Sequence, residues 1–189
     1  SAASDVYKRQ MLMNAFSAFA LMAYVSASSF VVQEMLGYDS TVYSMSFAAN
    51  ATGMMLMSFL SARLTSTIHP RKLIGVGLTI ASAAVVYLLV GTIVFHTPAW
   101  VIFPGFFFLV SAQGLIFGNG GALASREALD MAGTASALLG LGFSFAASTA
   151  APLVGLGGTD SSLAMALTMV AGVVLSLCCY MVSGRASSH

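Results

Sequence analysis

Residues able to do acid–base, nucleophilic or metal chemistry are few in this chain, and their spacing suits none of these reactions. The three histidines are far apart in the sequence, at His69, His96 and His189. Cys178 and Cys179 are adjacent, which makes them poor disulfide partners, and they match no metal-ligand spacing. The sequence around Ser144 is nearest to a serine nucleophile motif, yet Ala146 stands where that motif needs its second glycine. The pattern therefore predicts no enzyme, no metal site and no bound cofactor.

Uncharged polar residues recur at helical spacing in two apolar stretches. In the first stretch, Asn14, Ser17, Tyr24 and Ser28 fall on one helical face. A second face, followed by a glycine-rich run, carries Gln113, Phe117 and Asn119. These faces could line an aqueous substrate cavity, or they could form helix–helix hydrogen bonds worth about 0.6–2 kcal/mol each in lipid. Hydrogen bonding fits any single residue well, whereas the two faces together favour the cavity. On that interpretation Gln113→Ala and Tyr24→Ala change selectivity more than expression.

Small residues also recur every four positions, which lets another helix approach closely. A shorter version of this stripe surrounds Gly53, and the longer one consists of Ser136, Gly140, Ser144 and Ser148. The spacing does not say whether the approaching helix belongs to this bundle or to a partner bundle. We expect both stripes to be packing faces, and we assign them to a contact between bundles.

The composition indicates what must position these residues. Charged side chains make up 7% of the chain and hydrophobic ones 58%, against about 25% charged residues in an average soluble domain. So few charges cannot cover a soluble surface, and the apolar surplus therefore has to face lipid or other protein. A net charge of +1 with scattered cations also excludes a nucleic-acid partner.

Six continuous apolar runs account for most of the chain. A bilayer core of about 30 Å needs about 20 helical residues, and runs of about that length occupy 11–32, 42–62, 73–95, 99–124, 132–154 and 161–182. None of them contains Asp, Glu, Lys, Arg or His, and none alternates as half-buried strands do. The predicted fold is therefore an all-α membrane protein with six transmembrane helices.

The cations indicate the orientation of these helices. All seven Lys and Arg flank the runs on one side, at Lys8, Arg9, Arg63, Arg71, Lys72, Arg126 and Arg185. Because positively charged loops stay in the cytoplasm, we expect both termini to be cytoplasmic. The loop with Arg63, Arg71 and Lys72 then faces the cytoplasm, as does a tail over 183–189. Residues 1–10 read as a polar, non-native cytoplasmic stub that is similar to translated sequencing-adapter readthrough, with the native start lying further upstream.

Several stretches occur in an order that is similar to that of a known family. They are YVSASSFVVQ at 24–33, FAANATG at 47–53 with SARL at 61–64, PRKL at 70–73, QGLIFGN at 113–119 and AGTASALLG at 132–140. In this order they resemble the C-terminal half of drug:proton antiporters of the major facilitator superfamily, most closely the bicyclomycin/chloramphenicol-resistance (Bcr/CflA) branch. The resemblance runs from Met11 to about Val182. The family usually has Pro where this chain has Ser29 and Gly118, and its cytoplasmic motif lacks the acidic residue here.

The resemblance implies a specific architecture and partner. The six helices would be helices seven to twelve of a transporter, forming half of a fold built from two three-helix inverted repeats. The first and fourth would line the central cavity, and the second and fifth would pack against a missing N-terminal six-helix half. The proton gradient would supply the energy, through acidic residues of that other half. The substrates would be hydrophobic or amphipathic drugs, and the location would be a bacterial inner membrane.

Two other functions remain open from the sequence. The chain could belong to an uptake permease of the same superfamily for a small metabolite. It could also be a self-sufficient six-helix transporter that oligomerises. Substrate identity is not readable in either case, because aromatic and small polar cavity residues select by shape and dispersion.

Overall fold

A computed structural model describes residues 2–127, 132–158 and 161–186, which form helices and short connections with no strand in those ranges. The helices are α1 Ala2–Phe30, continued by a π-helical turn at Val31–Met35, α2 Ser40–Leu64, α3 Pro70–Phe95, α4 Ala99–Glu127, α5 Ala132–Gly155 and α6 Ser161–Ala186. The predicted all-α fold is confirmed.

The helices extend past most ends of the apolar runs. α1 begins at Ala2 rather than Met11, and α6 continues to Ala186, while residues 187–189 lie outside the described part of the chain. The bilayer limits an apolar run, but backbone hydrogen bonding continues until a cap or a turn intervenes. Asp39 is such a cap, because its Oδ1 accepts the N–H of Val42 at 2.9 Å ahead of α2.

Five of the described helices contain segments long and apolar enough to cross a membrane: Tyr7–Met35, Pro70–Phe95, Ala99–Gly120, Ser136–Gly155 and Ser162–Ser183. α2 has the necessary length, with 25 residues, but Asn50 and several hydroxyl side chains lower its hydropathy. It packs along α4 from Gly53 to Ser61. Several polar positions of α2 are therefore turned toward α4, and its membrane span stays a prediction.

Helix pairing reveals two inverted repeats, α1–α3 and α4–α6. α1 packs against α5 and α6 of the second repeat, and α4 packs against α2 and α3 of the first. α1 and α4 contact each other at the centre and run in opposite directions. Because the first helix of each repeat packs against the second and third helices of the other, this pattern is that of half a major facilitator fold, as the resemblance implied.

A glycine allows a close approach between the two repeats. A Cβ added at Gly172 on α6 would lie 2.9 Å from both the carbonyl oxygen of Phe16 and the amide nitrogen of Ala20 on α1. Such contacts replace the hydrophobic effect as the force that joins helices in lipid.

The π-helical turn at Val31–Met35 begins two residues after Ser29, the position at which the similar family usually has proline. Ser29 accepts a 2.7 Å hydrogen bond from Nε2 of Gln33, and the N–H of Leu36 reaches back to the carbonyl of Val31 at 3.0 Å. That bond spans five residues, which is the wider turn of a π-helix.

Five cations have described side chains, and they lie at one end of the bundle: Lys8, Arg9, Arg63, Arg71 and Lys72. Arg71 is anchored there, because its Nη2 donates to the Tyr180 carbonyl and to Ser183 Oγ, both at 2.9 Å. Its guanidinium also lies 4.9 Å from the centre of the Tyr180 ring. We call this end the basic end.

Candidate functional site

The polar face of α1 meets α4 inside the bundle. Ser17 Oγ donates to Gln113 Oε1 at 2.7 Å, and the two residues are 1% and 0% exposed. Polar side chains in lipid commonly hydrogen-bond across helices in this way. No substrate can reach either group in this structure.

Tyr24 and Ser28 join α1 to its neighbours. The Tyr24 hydroxyl accepts from Asn50 Nδ2 at 2.9 Å, and its ring lies edge-on to Phe106 with centroids 4.8 Å apart. Ser28 Oγ is 3.4 Å from the Tyr43 hydroxyl. Both residues are nearly fully buried, and they connect α1 with α2 and α4.

Asn119 connects α4 with α2. Its Nδ2 donates to Ser61 Oγ at 2.5 Å and to the Leu115 carbonyl at 2.7 Å, and the residue is buried. The glycine-rich run around Asn119 stays helical instead of loosening the helix, because α4 continues to Glu127.

These contacts favour one of the two interpretations of the polar faces, and the assignment to a cavity wall stays a prediction. Ser17, Tyr24, Ser28, Gln113 and Asn119 lie in the bundle interior as helix–helix hydrogen-bonding groups, which was the other interpretation of the same spacing. The sequence left both interpretations open, because helical spacing defines a face but does not say which neighbouring helix covers it.

A small cavity between α1, α4 and α5 does contain the other two predicted cavity residues, Asn14 and Phe117. Its volume is about 170 Å³, and its lining also includes Met11, Ala15, Ala18, Leu138, Leu139, Gly142 and Phe143. The Phe117 and Phe143 rings meet edge-on, with centroids 6.4 Å apart. Pockets for drug-sized ligands measure about 300–1,000 Å³, so this cavity can hold only part of one.

Unpaired polar atoms occur on α1 and α4, two of the helices that surround this cavity. Asn14 Oδ1, Gln10 Nε2 and Gln113 Nε2 are buried without a hydrogen-bond partner among the described residues. An orphaned buried polar group costs about 1–3 kcal/mol, and it calls for a water or a ligand. Sequence reasoning missed Gln10, although its i, i+4 spacing to Asn14 was a usable signal, because it fell within the segment assigned to the stub.

The predicted stripe on α5 is exposed along its length. Ser136, Gly140, Ser144 and Ser148 all face away from the bundle, and a Cβ at Gly140 would meet no atom within 4 Å. Ser148 Oγ donates to the carbonyl of Ser144 at 2.9 Å, which satisfies its hydroxyl locally. This face is available to lipid or to a partner helix.

Gly53 was assigned from the sequence to a contact between bundles, and that assignment stays a prediction. Gly53 is buried against α4, where an added Cβ would lie 2.9 Å from a ring carbon of Phe107 and would also meet Ser111. The small residue serves packing within this bundle, because α2 and α4 approach closely at that point.

Comparison with known proteins agrees with this architecture. The sequence model described as Major Facilitator Superfamily matches residues 2–152. An uncharacterized MFS-type transporter of Bacillus subtilis, YdgK, is 31% identical over 155 residues, which are 82% of this chain and 38% of that protein. The bicyclomycin resistance protein homolog of Haemophilus influenzae is 28% identical over 170 residues, 90% of this chain and 42% of that protein. The chain thus spans about two fifths of the length of these curated relatives.

The match covers most of the chain, and the paired inverted repeats explain it structurally. Apolar helices of membrane-spanning length, joined around a buried polar centre, are what a transporter of this class requires. This chain is therefore a multi-pass membrane protein, and it belongs to the major facilitator superfamily.

Proposed function

We propose that this chain is the C-terminal half of a proton-coupled drug efflux transporter of a bacterial inner membrane. The order of its motifs and the similarity to a bicyclomycin resistance protein homolog support this proposal. The observation that carries it is the cavity between α1, α4 and α5. None of its described lining residues is charged, and two of them are aromatic rings facing each other edge-on.

The lining favours hydrophobic or amphipathic molecules over anionic metabolites. Carboxylates and phosphates are recognised by Arg or Lys forks, which the described lining lacks. Aromatic walls with one carboxamide select planar apolar groups by shape and dispersion. For this reason we rank drug efflux above uptake of a charged metabolite.

A second six-helix half is the partner that would complete the cavity. At about 170 Å³, the cavity is smaller than a drug-sized pocket, and the exposed stripe on α5 offers a close approach beside it. Large apolar side chains on the outer faces of α2 and α5, among them Phe59 and Phe145, suit lipid or that partner.

Coupling to protons would then reside mainly in the other half. A membrane-embedded carboxylate is the usual proton relay, and the apolar runs of this chain contain none. The basic end would face the cytoplasm, with both termini inside, as the positive-inside rule requires. The proton gradient would drive the outward movement of drug.

The proposal is tested with the intact protein in bacterial cells that lack their own drug pumps. We expect cells to expel a fluorescent hydrophobic drug, and a protonophore to abolish the expulsion. Residues 11–189 expressed alone should insert without transporting, and co-expression with the other half should restore efflux. Transport by this chain alone would support the self-sufficient alternative, and energy-dependent accumulation would support an uptake permease.

A further inference from the structure

Among the described residues, Asn14 is the one whose side chain both lines the cavity and carries a polar atom without a hydrogen-bond partner. Asn14 is 7% exposed, and its Oδ1 is buried with no hydrogen-bond partner among the described residues. Rotation about the last side-chain torsion of Asn is soft. That rotation can turn the oxygen toward the cavity, where a ligand's donor would satisfy it.

The cavity beside Asn14 has the size of a single aromatic ring. An apolar cavity of about 150 Å³ is enough to bind benzene, and this one measures about 170 Å³. Phe117 and Phe143 form part of its wall, and an arriving ring can stack or meet them edge-on. A ring and a hydrogen-bond acceptor therefore lie next to each other.

We propose that Asn14 anchors ligands that carry an N–H or O–H donor next to an aromatic ring, with the ring seated in the cavity against Phe117 and Phe143. This inference rests on the proposed function and names the substrate chemistry of the same site. The oxygen is an acceptor only, so the anchor discriminates between molecules with and without a donor of equal apolar size.

Gly120 on α4 positions this carboxamide. A Cβ added at Gly120 would lie 2.6 Å from Asn14 Nδ2 and would also meet Oδ1, so the glycine provides the space in which the carboxamide sits. Gly118, two residues earlier on the same helix, has no atom within 4 Å of such a Cβ. Gly118→Ala is thus a matched control for Gly120→Ala, with the same change in helix propensity.

The test measures binding to the purified intact protein in lipid nanodiscs. Chloramphenicol has amide and hydroxyl donors next to a ring, and tetraphenylphosphonium has rings without any donor. Asn14→Leu should raise the Kd of chloramphenicol on the order of ten-fold, the loss expected for one hydrogen bond, and should leave that of tetraphenylphosphonium within about two-fold. Gly120→Ala should reproduce this selective loss, whereas Gly118→Ala should not.

Every other result counts against the inference. Equal weakening of both ligands, or of neither, by Asn14→Leu would overturn the anchor while leaving drug efflux intact. If wild type binds neither compound, the proposed function falls together with the anchor. If Asn14→Leu does not reach the membrane, the difference between the two glycine variants decides the question.

Discussion

Ser17 on α1 and Gln113 on α4 form a buried hydrogen bond of 2.7 Å between the two central helices of the bundle. α1 opens the first three-helix repeat and α4 opens the second, so this bond joins the repeats directly. The amide nitrogen of Gln113, Nε2, is buried at the same contact without a hydrogen-bond partner among the described residues. The bond is therefore a polar contact between the two central helices. Removing Ser17 and removing Gln113 should change stability by different amounts.

Ser17→Ala should lower stability more than the paired change does. Without the Ser17 hydroxyl, Oε1 of Gln113 also becomes unpaired in the interior, which costs about 1–3 kcal/mol. Adding Gln113→Leu to Ser17→Ala removes both unpaired atoms and should recover most of the lost stability. Unfolding by sodium dodecyl sulfate is measured for the purified wild type, both single variants and the double variant. The comparison gives the coupling free energy between the two residues. Additive effects would show that the bond contributes nothing.

The same bond shifts the expectation for Gln113→Ala. From the sequence, that substitution was expected to change selectivity more than expression. In the structure Gln113 is 0% exposed, so we now expect the amount of folded protein to fall first.

Two glycines show which part of the packing was readable from the sequence. Gly53 and Gly140 both belong to stripes of small residues, and the spacing predicts that each can admit a helix. The structure covers Gly53 with α4 and leaves Gly140 open. The choice depends on the order of helices around the bundle, a long-range property that no local pattern encodes.

Gly114→Ala should be destabilising. An added Cβ there would lie 2.9 Å from the backbone nitrogen of Ser58 and would also meet the carbonyl of Met54, and backbone atoms cannot move aside as a flexible side chain can. Overpacking of this kind costs about 1–3 kcal/mol, more than the roughly 1 kcal/mol that Ala gains over Gly in a helix.

Gly140→Ala is the matched control, because it makes the same change on a face with open space. The fraction of each variant that remains monodisperse after heating in detergent provides the measurement. Equal stability of the two variants would contradict the close approach of α2 to α4.

Arg71 should contribute to stability, while its neighbour Lys72 should not. Arg71 donates to Tyr180 and Ser183 and lies over the Tyr180 ring, whereas Lys72 is exposed. Arg71→Gln removes two hydrogen bonds and a cation–π contact, an expected loss of about 1–3 kcal/mol. Lys72→Gln removes the same charge at an exposed position and should change stability by less than about 0.5 kcal/mol.

Both substitutions are compared by detergent unfolding at low and high salt. A similar loss in the two variants would mean that net charge at the basic end matters and that the Arg71 contacts do not.

The cavity illustrates a second limit of reasoning from sequence. Asn14 and Ser17 lie three residues apart on one polar face, yet Asn14 borders a cavity and Ser17 is sealed against α4. Where α5 stops covering α1 depends on how the helices are inclined. The helices themselves were readable, because each is a continuous apolar run with a cap or a turn at its ends.

The orientation of the bundle predicts which positions a water-soluble reagent can reach. Ser66 lies in the connection between α2 and α3 at the basic end, and Ser40 begins α2 at the opposite end; both are exposed. Ser40→Cys in the intact protein should react with a membrane-impermeant maleimide on whole cells. Ser66→Cys should react only after the membrane is permeabilised, since basic loops remain cytoplasmic. Serine and cysteine differ little in size, so neither change should disturb the fold.

The unsubstituted protein controls for Cys178 and Cys179, which lie inside α6 and should stay unlabelled because maleimide attack needs a hydrated thiolate. Labelling of both new positions on whole cells would contradict a membrane-spanning α2, and the reverse order of labelling would invert the proposed direction of the bundle.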